Sequence, residues 1–100
     1  MINTTTKSFD TFEADARKAG FDEAKIRAWP PQKVIGTHTH PFHAEAIVTR
    51  GEMWLTCGES TRHLLPGDTF TLSYGQPHAE RYGVEGATYW VARRNRPVDE

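Results

Sequence analysis

The chain has 100 residues, 12 Lys and Arg against 13 Asp and Glu, and a formal net charge of −1. That length suits one domain with a true core and little room for a second module. The balanced charge argues against a nucleic-acid footprint or a polybasic membrane patch. No stretch reaches the roughly 18 apolar residues of a spanning helix, and the polar start at Met1-Ile2-Asn3-Thr4-Thr5-Thr6 lacks the apolar run of a signal peptide. Cys57 is the single cysteine, which excludes an internal disulfide and fits a reducing cytosol. The expectation is a cytoplasmic protein whose partners are small molecules or a second copy of itself, with no nucleic acid and no membrane.

The first expected element is a helix. Ser8 is its N-cap, Asp10 and Glu13 sit in the first turns, Arg17 and Lys18 in the last, and Gly20 stops it. Phe9, Phe12 and Ala16 fall on one face, a narrow apolar stripe suited to covering the side or end of a sheet.

After Phe21 the pattern is one of short strands: 25–29, 33–40, 45–50, 52–57, 61–64, 69–72, 79–82 and 87–92. Reversals are expected at Pro30-Pro31, Arg50-Gly51, Gly58-Glu59-Ser60, Pro66-Gly67-Asp68, Tyr74-Gly75 and between Gly83 and Gly86, where Gly or Pro lets the backbone turn. Strands this close, with no helices between them, predict an all-β antiparallel sandwich or barrel with one N-terminal α-helix. Met53, Leu55 and Cys57 should face one side of their strand, and Trp54 and Thr56 the other.

His38 and His40 form an H-x-H pair. Side chains on an extended segment repeat every second residue, so the two rings point the same way and can share one metal ion. His78, just after a Gly- and Pro-bearing turn, can complete that site if a second strand runs alongside the first.

At these residues the chain resembles the cupin family, over roughly 28–92. The first family motif is a glycine, five residues, H-x-H, three or four residues, a glutamate, six residues and a glycine. It matches His38-Thr39-His40-Pro41-Phe42-His43-Ala44-Glu45 and onward to Gly51, with Gln32 at the leading glycine. The second matches Gly67 through Gly75 to His78, with Ser73 at the usual proline and Tyr82 at the usual asparagine. The resemblance implies a double-stranded β-helix, the jelly-roll or cupin barrel, spanning 25–100, with 1–24 as a helical segment packed against it. It also implies a homodimer and a divalent transition metal, one of Fe, Mn, Ni, Zn or Cu, held by His38, His40 and His78.

The carboxylate ligand has two counts that disagree. Counting back from Gly51 lands on Ala44, whereas counting forward from His40 reaches Glu45, and a one-residue change on a strand reverses the face. Glu45 is the expected fourth ligand. His43 is the alternative, and a site of three histidines completed by water is the third possibility.

His63 matches no ligand position and reads as structural or exposed, and Cys57 as a small core residue. Phe42, Trp54, Tyr82, Tyr89 and Trp90 are candidates to wall a small pocket around the ion. By strand parity Arg81 falls outside that pocket. The Arg93-Arg94-Asn95-Arg96 cluster reads as a solvated end, with contact to a partner subunit or an anionic ligand as the other reading.

An ion held by three or four protein groups keeps open positions for a ligand. The resemblance therefore implies a small metal-binding cupin acting as a dioxygenase- or isomerase-like enzyme on a small oxygenated molecule. The alternative is a non-catalytic module for a small ligand or a metal. An effector-sensing role in transcription is the third reading, though the sequence carries no helix-turn-helix pattern and no basic stripe.

Overall fold

Helix α1 (Phe9–Lys18) starts where Ser8 presents its side-chain oxygen to the Thr11 N–H at 3.1 Å, filling one of the donors a helix start leaves open. It ends in a paired reach-back: the Gly20 N–H donates to Arg17 O at 3.1 Å and the Phe21 N–H to Ala16 O at 3.0 Å. Gly20 sits at φ +94°, where a residue without Cβ is the natural choice. Phe9 and Phe12 both rest on Trp90, with ring centroids 5.7 Å away in each case, and Ala16 is buried. The helix thus covers the outer side of the sheet, as its apolar stripe predicts. This computed structural model describes residues 8–95. The polar start at 1–6 and Arg96, Asp99 and Glu100 lie outside the described residues.

After the helix come six strands: β1 (Glu23–Trp29), β2 (Val34–His38), β3 (His43–Cys57), β4 (Ser60–Leu64), β5 (Thr69–Leu72) and β6 (His78–Arg94). All pairings are antiparallel. The long strands β3 and β6 pair from His43↔Arg94 to Thr56↔Ala79, with register shifts between Val48 and Arg50 and between Gly51 and Met53. On one side of those shifts the order is β1-β6-β3-β5, and on the other β2-β6-β3-β4. Two four-stranded halves therefore share two continuous strands, the jelly-roll arrangement that the resemblance implies.

Here the structure corrects the expected turns. Arg50-Gly51 and Gly83 to Gly86 do not reverse the chain, and the four strands expected around them are two strands of 15 and 17 residues. The glycines mark a bulged corner instead. A Cβ on Gly51 would stand 2.1 Å from Gly86 O, and both residues have positive φ, at +77° and +72°. The backbones approach so closely that neither position admits a side chain. Gln32, at the family's glycine position, keeps a left-handed φ of +59°.

The core lies between the two halves. Val48 and Met53 are fully buried, with Leu64 and Tyr82 at 1% exposure. Each large apolar side chain taken out of water there contributes roughly 1.5–3 kcal/mol. Met53 and Leu55 face inward, as the alternation predicts, and Cys57 packs against their cluster.

Candidate metal centre and its cavity

The β2–β6 pairing sets His38 directly opposite His78, and residues so paired present their side chains on the same face of a sheet. His40 lies just past the end of β2, and its ring meets that of His38 edge-on at 4.7 Å. The ligand atoms of His38, His40 and His78 all lie within 4.8 Å of one another. The Nε2 atoms of His38 and His40 are 3.1 Å apart.

Backbone carbonyls orient two of the rings. Nδ1 of His38 lies 2.7 Å from Gly36 O, and Nδ1 of His78 lies 3.0 Å from Gln76 O. Carbonyls only accept, so both rings donate through Nδ1–H and turn their Nε2 lone pairs toward the shared point. This is the outer support that metal-bound histidines characteristically have.

Glu80 enters the same point from β6. It stands two residues after His78 on the same face, is 7% exposed, and places Oε2 3.2 Å from His78 Nε2 and 3.6 Å from His38 Nε2. Its other oxygen accepts a short hydrogen bond from the Tyr82 hydroxyl. Trp29 stacks on Tyr82 at 5.5 Å and donates its indole N–H to the Tyr89 hydroxyl at 3.3 Å.

These contacts set the charges. The Glu80 carboxylate, within hydrogen-bonding distance, raises the pKa of His78 against the opposing effect of burial. Burial pushes Glu80 up, but His78 and Tyr82 outweigh it and hold its pKa below the usual carboxylate value. Burial, with the neighbouring His38 and His78, lowers His40. Burial also raises both Tyr82 and Tyr89, so both hydroxyls stay neutral.

The residues fit a divalent ion. Two nitrogens each about 2.1 Å from one cation stand about 3 Å apart when they subtend angles between square and tetrahedral, which the His38–His40 separation matches. His78 Nε2 is buried without a hydrogen bond: Glu80 Oε2 is near but out of line. A buried polar atom left so costs roughly 1–3 kcal/mol, and a cation at that point would satisfy it. Neutral imidazoles with one carboxylate suit Zn, Fe, Mn, Ni or Cu.

A cavity of about 270 Å³ opens beside the group. Its wall is largely apolar, with Phe42, Ala44, Phe70, Leu72 and Val91, and two arginines, Arg27 and Arg93, join the histidines and Glu80. Of the aromatic candidates, Phe42 and Tyr89 line it. Tyr82 stands behind Glu80, Trp90 lies under the helix, and Trp54 stacks on His63 at 4.5 Å on the outer face.

Glu45 and His43 are not brought to the three histidines. Their side chains lie on the face of β3 opposite Ala44; His43 Nε2 is 3.3 Å from Glu45 Oε2, and the Glu45 side chain is 55% exposed. Glu45 lines a separate hollow between helix and sheet. Ala44, where the backward count lands, is the residue that faces the cavity, buried at 2% exposure. Strand parity therefore turns Glu45 away from the three histidines. Glu80 is the carboxylate that sequence reasoning missed, although His78-x-Glu80 carries the same alternation signal as His38-x-His40. Arg81 stacks over Trp54 at 3.9 Å, outside the cavity as expected. His63 is half-exposed and bonded to Glu52 at 2.8 Å. Arg94 donates to the helix-end carbonyl of Ala19 at 3.2 Å, while its neighbour Arg93 turns into the cavity.

The chain is similar to the crystal structure of the DMSP lyase DddQ from Ruegeria pomeroyi at 27% identity and a TM-score of 0.67, over 72% of this chain and 37% of that one. KdgF from Halomonas sp. matches at 19% identity and a TM-score of 0.66, over 77% of this chain and 71% of that one. A cupin superfamily protein from Desulfitobacterium hafniense matches at 11% identity and a TM-score of 0.63, over 72% and 66%. The chain thus spans well under half the length of the DMSP lyase. No curated protein sequence matches it. Among the described residues no helix is long and apolar enough to cross a membrane. The family model for the AraC-like ligand binding domain matches residues 20–95, and with the jelly roll and the histidine-lined cavity this makes the chain a member of that family within the cupin superfamily.

Proposed function

We propose that this protein holds a divalent transition metal on His38, His40 and His78, with Glu80 supplying the carboxylate, and that a small oxygenated molecule binds the metal's open positions inside the cavity. The observation that carries the reading is the convergence of three Nε2 atoms, one of them buried without a partner, on a point beside an ionised carboxylate. Bound there, the metal would supply Lewis acidity to an oxygen of the ligand. The protein's own part is to fix the ring orientations through Gly36 and Gln76, to hold Glu80 ionised through Tyr82, and to keep water away with the apolar wall.

Once a ligand is bound, two outcomes have support. A metal-dependent enzyme is favoured by the likeness to a DMSP lyase at 27% identity, while the dioxygenase- or isomerase-like chemistry is what the cupin resemblance implies. A non-catalytic ligand-binding module is favoured by the family match over 20–95, and by a cavity whose lining, among the described residues, offers no further acid or base beyond the proposed ligands and the neutral Tyr89. The proposed unit is a cytoplasmic homodimer, with the edge strand β2 carrying the exposed Val34 at 67% and the corner of β6 the exposed Val84 at 69%. Sedimentation velocity tests the dimer.

The metal reading is tested by mass spectrometry of the metal content of purified wild type, His38→Ala and His78→Ala. Stoichiometric metal in the wild type, lost in both variants, is the expected result; a wild type without metal, even after loading, overturns the reading. Oxygen uptake and product analysis with thiols, diols and organic acids then separate turnover from binding.

A further inference from the structure

The cavity's second polar pole is Arg93. Its side chain is 15% exposed, lines the cavity, and leaves Nε buried without a hydrogen bond. Among the described residues its one ion-pair neighbour, Glu23, lies at 3.9 Å, too far for a well-made bond. The guanidinium rests over the Phe42 ring at 4.4 Å, and Phe42 in turn stacks on His40 at 4.8 Å. One aromatic ring therefore separates Arg93 from the histidine group. Arg27 lines the same cavity, its guanidinium 4.8 Å from the centre of the Trp29 ring.

Two arginines against one carboxylate leave the lining positively charged before any metal is added. A guanidinium whose Nε–H lacks a partner among the described residues, in a largely apolar cavity, is matched best by a carboxylate, whose two oxygens accept its parallel donors. The volume of about 270 Å³ is below the range of drug-sized pockets and selects a small molecule.

We propose that Arg93, assisted by Arg27, forms a carboxylate subsite, so that the molecule reaching the histidine group is a short organic acid with a second oxygen donor, of the hydroxy- or oxo-carboxylate class. This rests on the metal-site reading for the role of that second oxygen, while the carboxylate contact itself does not need the metal. The structural alternative is that Arg93 only packs on Phe42 and ties β6 to Glu23.

The test is calorimetric titration of metal-loaded protein with lactate, 2-oxoglutarate and malonate, against propane-1,2-diol and lactamide as neutral counterparts. At least one of the acids binds and the neutral molecules bind at least tenfold more weakly. Arg93→Met weakens the acid by roughly 10- to 100-fold, the worth of a charge-assisted hydrogen bond, with metal content and circular dichroism unchanged. Arg93→Lys, which keeps the charge and packing but loses the fork, recovers only part of the loss. Equal acid affinity in wild type and a folded Arg93→Met, or no preference for acids over their neutral counterparts, overturns the proposal. The same titrations on His38→Ala separate the two readings: weaker acid binding that still depends on Arg93 supports the subsite even if the metal assignment fails. Loss of that dependence there overturns an independent carboxylate contact.

Discussion

Glu80→Gln is the sharpest probe of the centre. The amide keeps the shape and can still accept the Tyr82 hydrogen, so the fold should survive, but the negative charge 3.2 Å from His78 and 3.6 Å from His38 is gone. Loss of a group that ligates or directly supports a metal weakens binding by roughly 10- to 100-fold, about 1.4–2.7 kcal/mol. Glu45→Gln removes a carboxylate whose side chain is 55% exposed on the far face of β3, and there the change should stay below about twofold, since exposed charges are screened. Competition titration of both variants against a chromophoric chelator with Zn(II) and Co(II) measures the two numbers side by side. A greater loss in Glu45→Gln than in Glu80→Gln would refute the reasoning.

The same pair dictates a pH profile for the metal-free protein. The raised pKa of His78 stabilises the fold fully below its ordinary value of 6.5 and is lost as pH climbs through the raised value. The lowered pKa of Glu80 stabilises above its ordinary 4.5 and is lost as pH falls through the lowered value. The stability gap between wild type and Glu80→Gln should therefore be widest between those two ordinary values, as urea melts across pH will show; a gap that keeps growing above that window contradicts the pairing. Gly51→Ala drives a Cβ toward Gly86 O in a left-handed backbone, at a cost of roughly 2–5 kcal/mol from strain and overpacking together, visible as a lower urea midpoint. Gln32→Gly relieves the left-handed strain and gives up some chain entropy, so a net gain of about 0.5–1 kcal/mol is expected in the same melts.

The histidines were legible because a fixed spacing is enough to put them together: His38 and His40 repeat every second residue, and a turn before His78 returns the chain to their side. The helix was legible for a similar reason, since Ser8 and Gly20 act within one turn of their own positions. What a linear reading could not decide was whether glycine meant a reversal or a bulge. Gly51 and Gly86 serve the second purpose, and the need for them arises only where two distant strands approach each other. The carboxylate illustrates the same boundary. Its face depends on how many residues the corner absorbs, so Glu45 and Ala44 could be told apart only once the β3–β6 register was fixed. Arg93 was hidden among neighbouring cations, and its inward turn is set by its pairing with Glu23 and Ala44.

β6 is a single uninterrupted ribbon, and its two sides serve different masters. Tyr89 and Val91 form part of the cavity wall, while Trp90 between them is the floor on which Phe9 and Phe12 sit. The chamber wall and the seat of the helix are thus opposite faces of one three-residue stretch of chain, so a substitution at Trp90 alters a residue flanked on both sides by the lining.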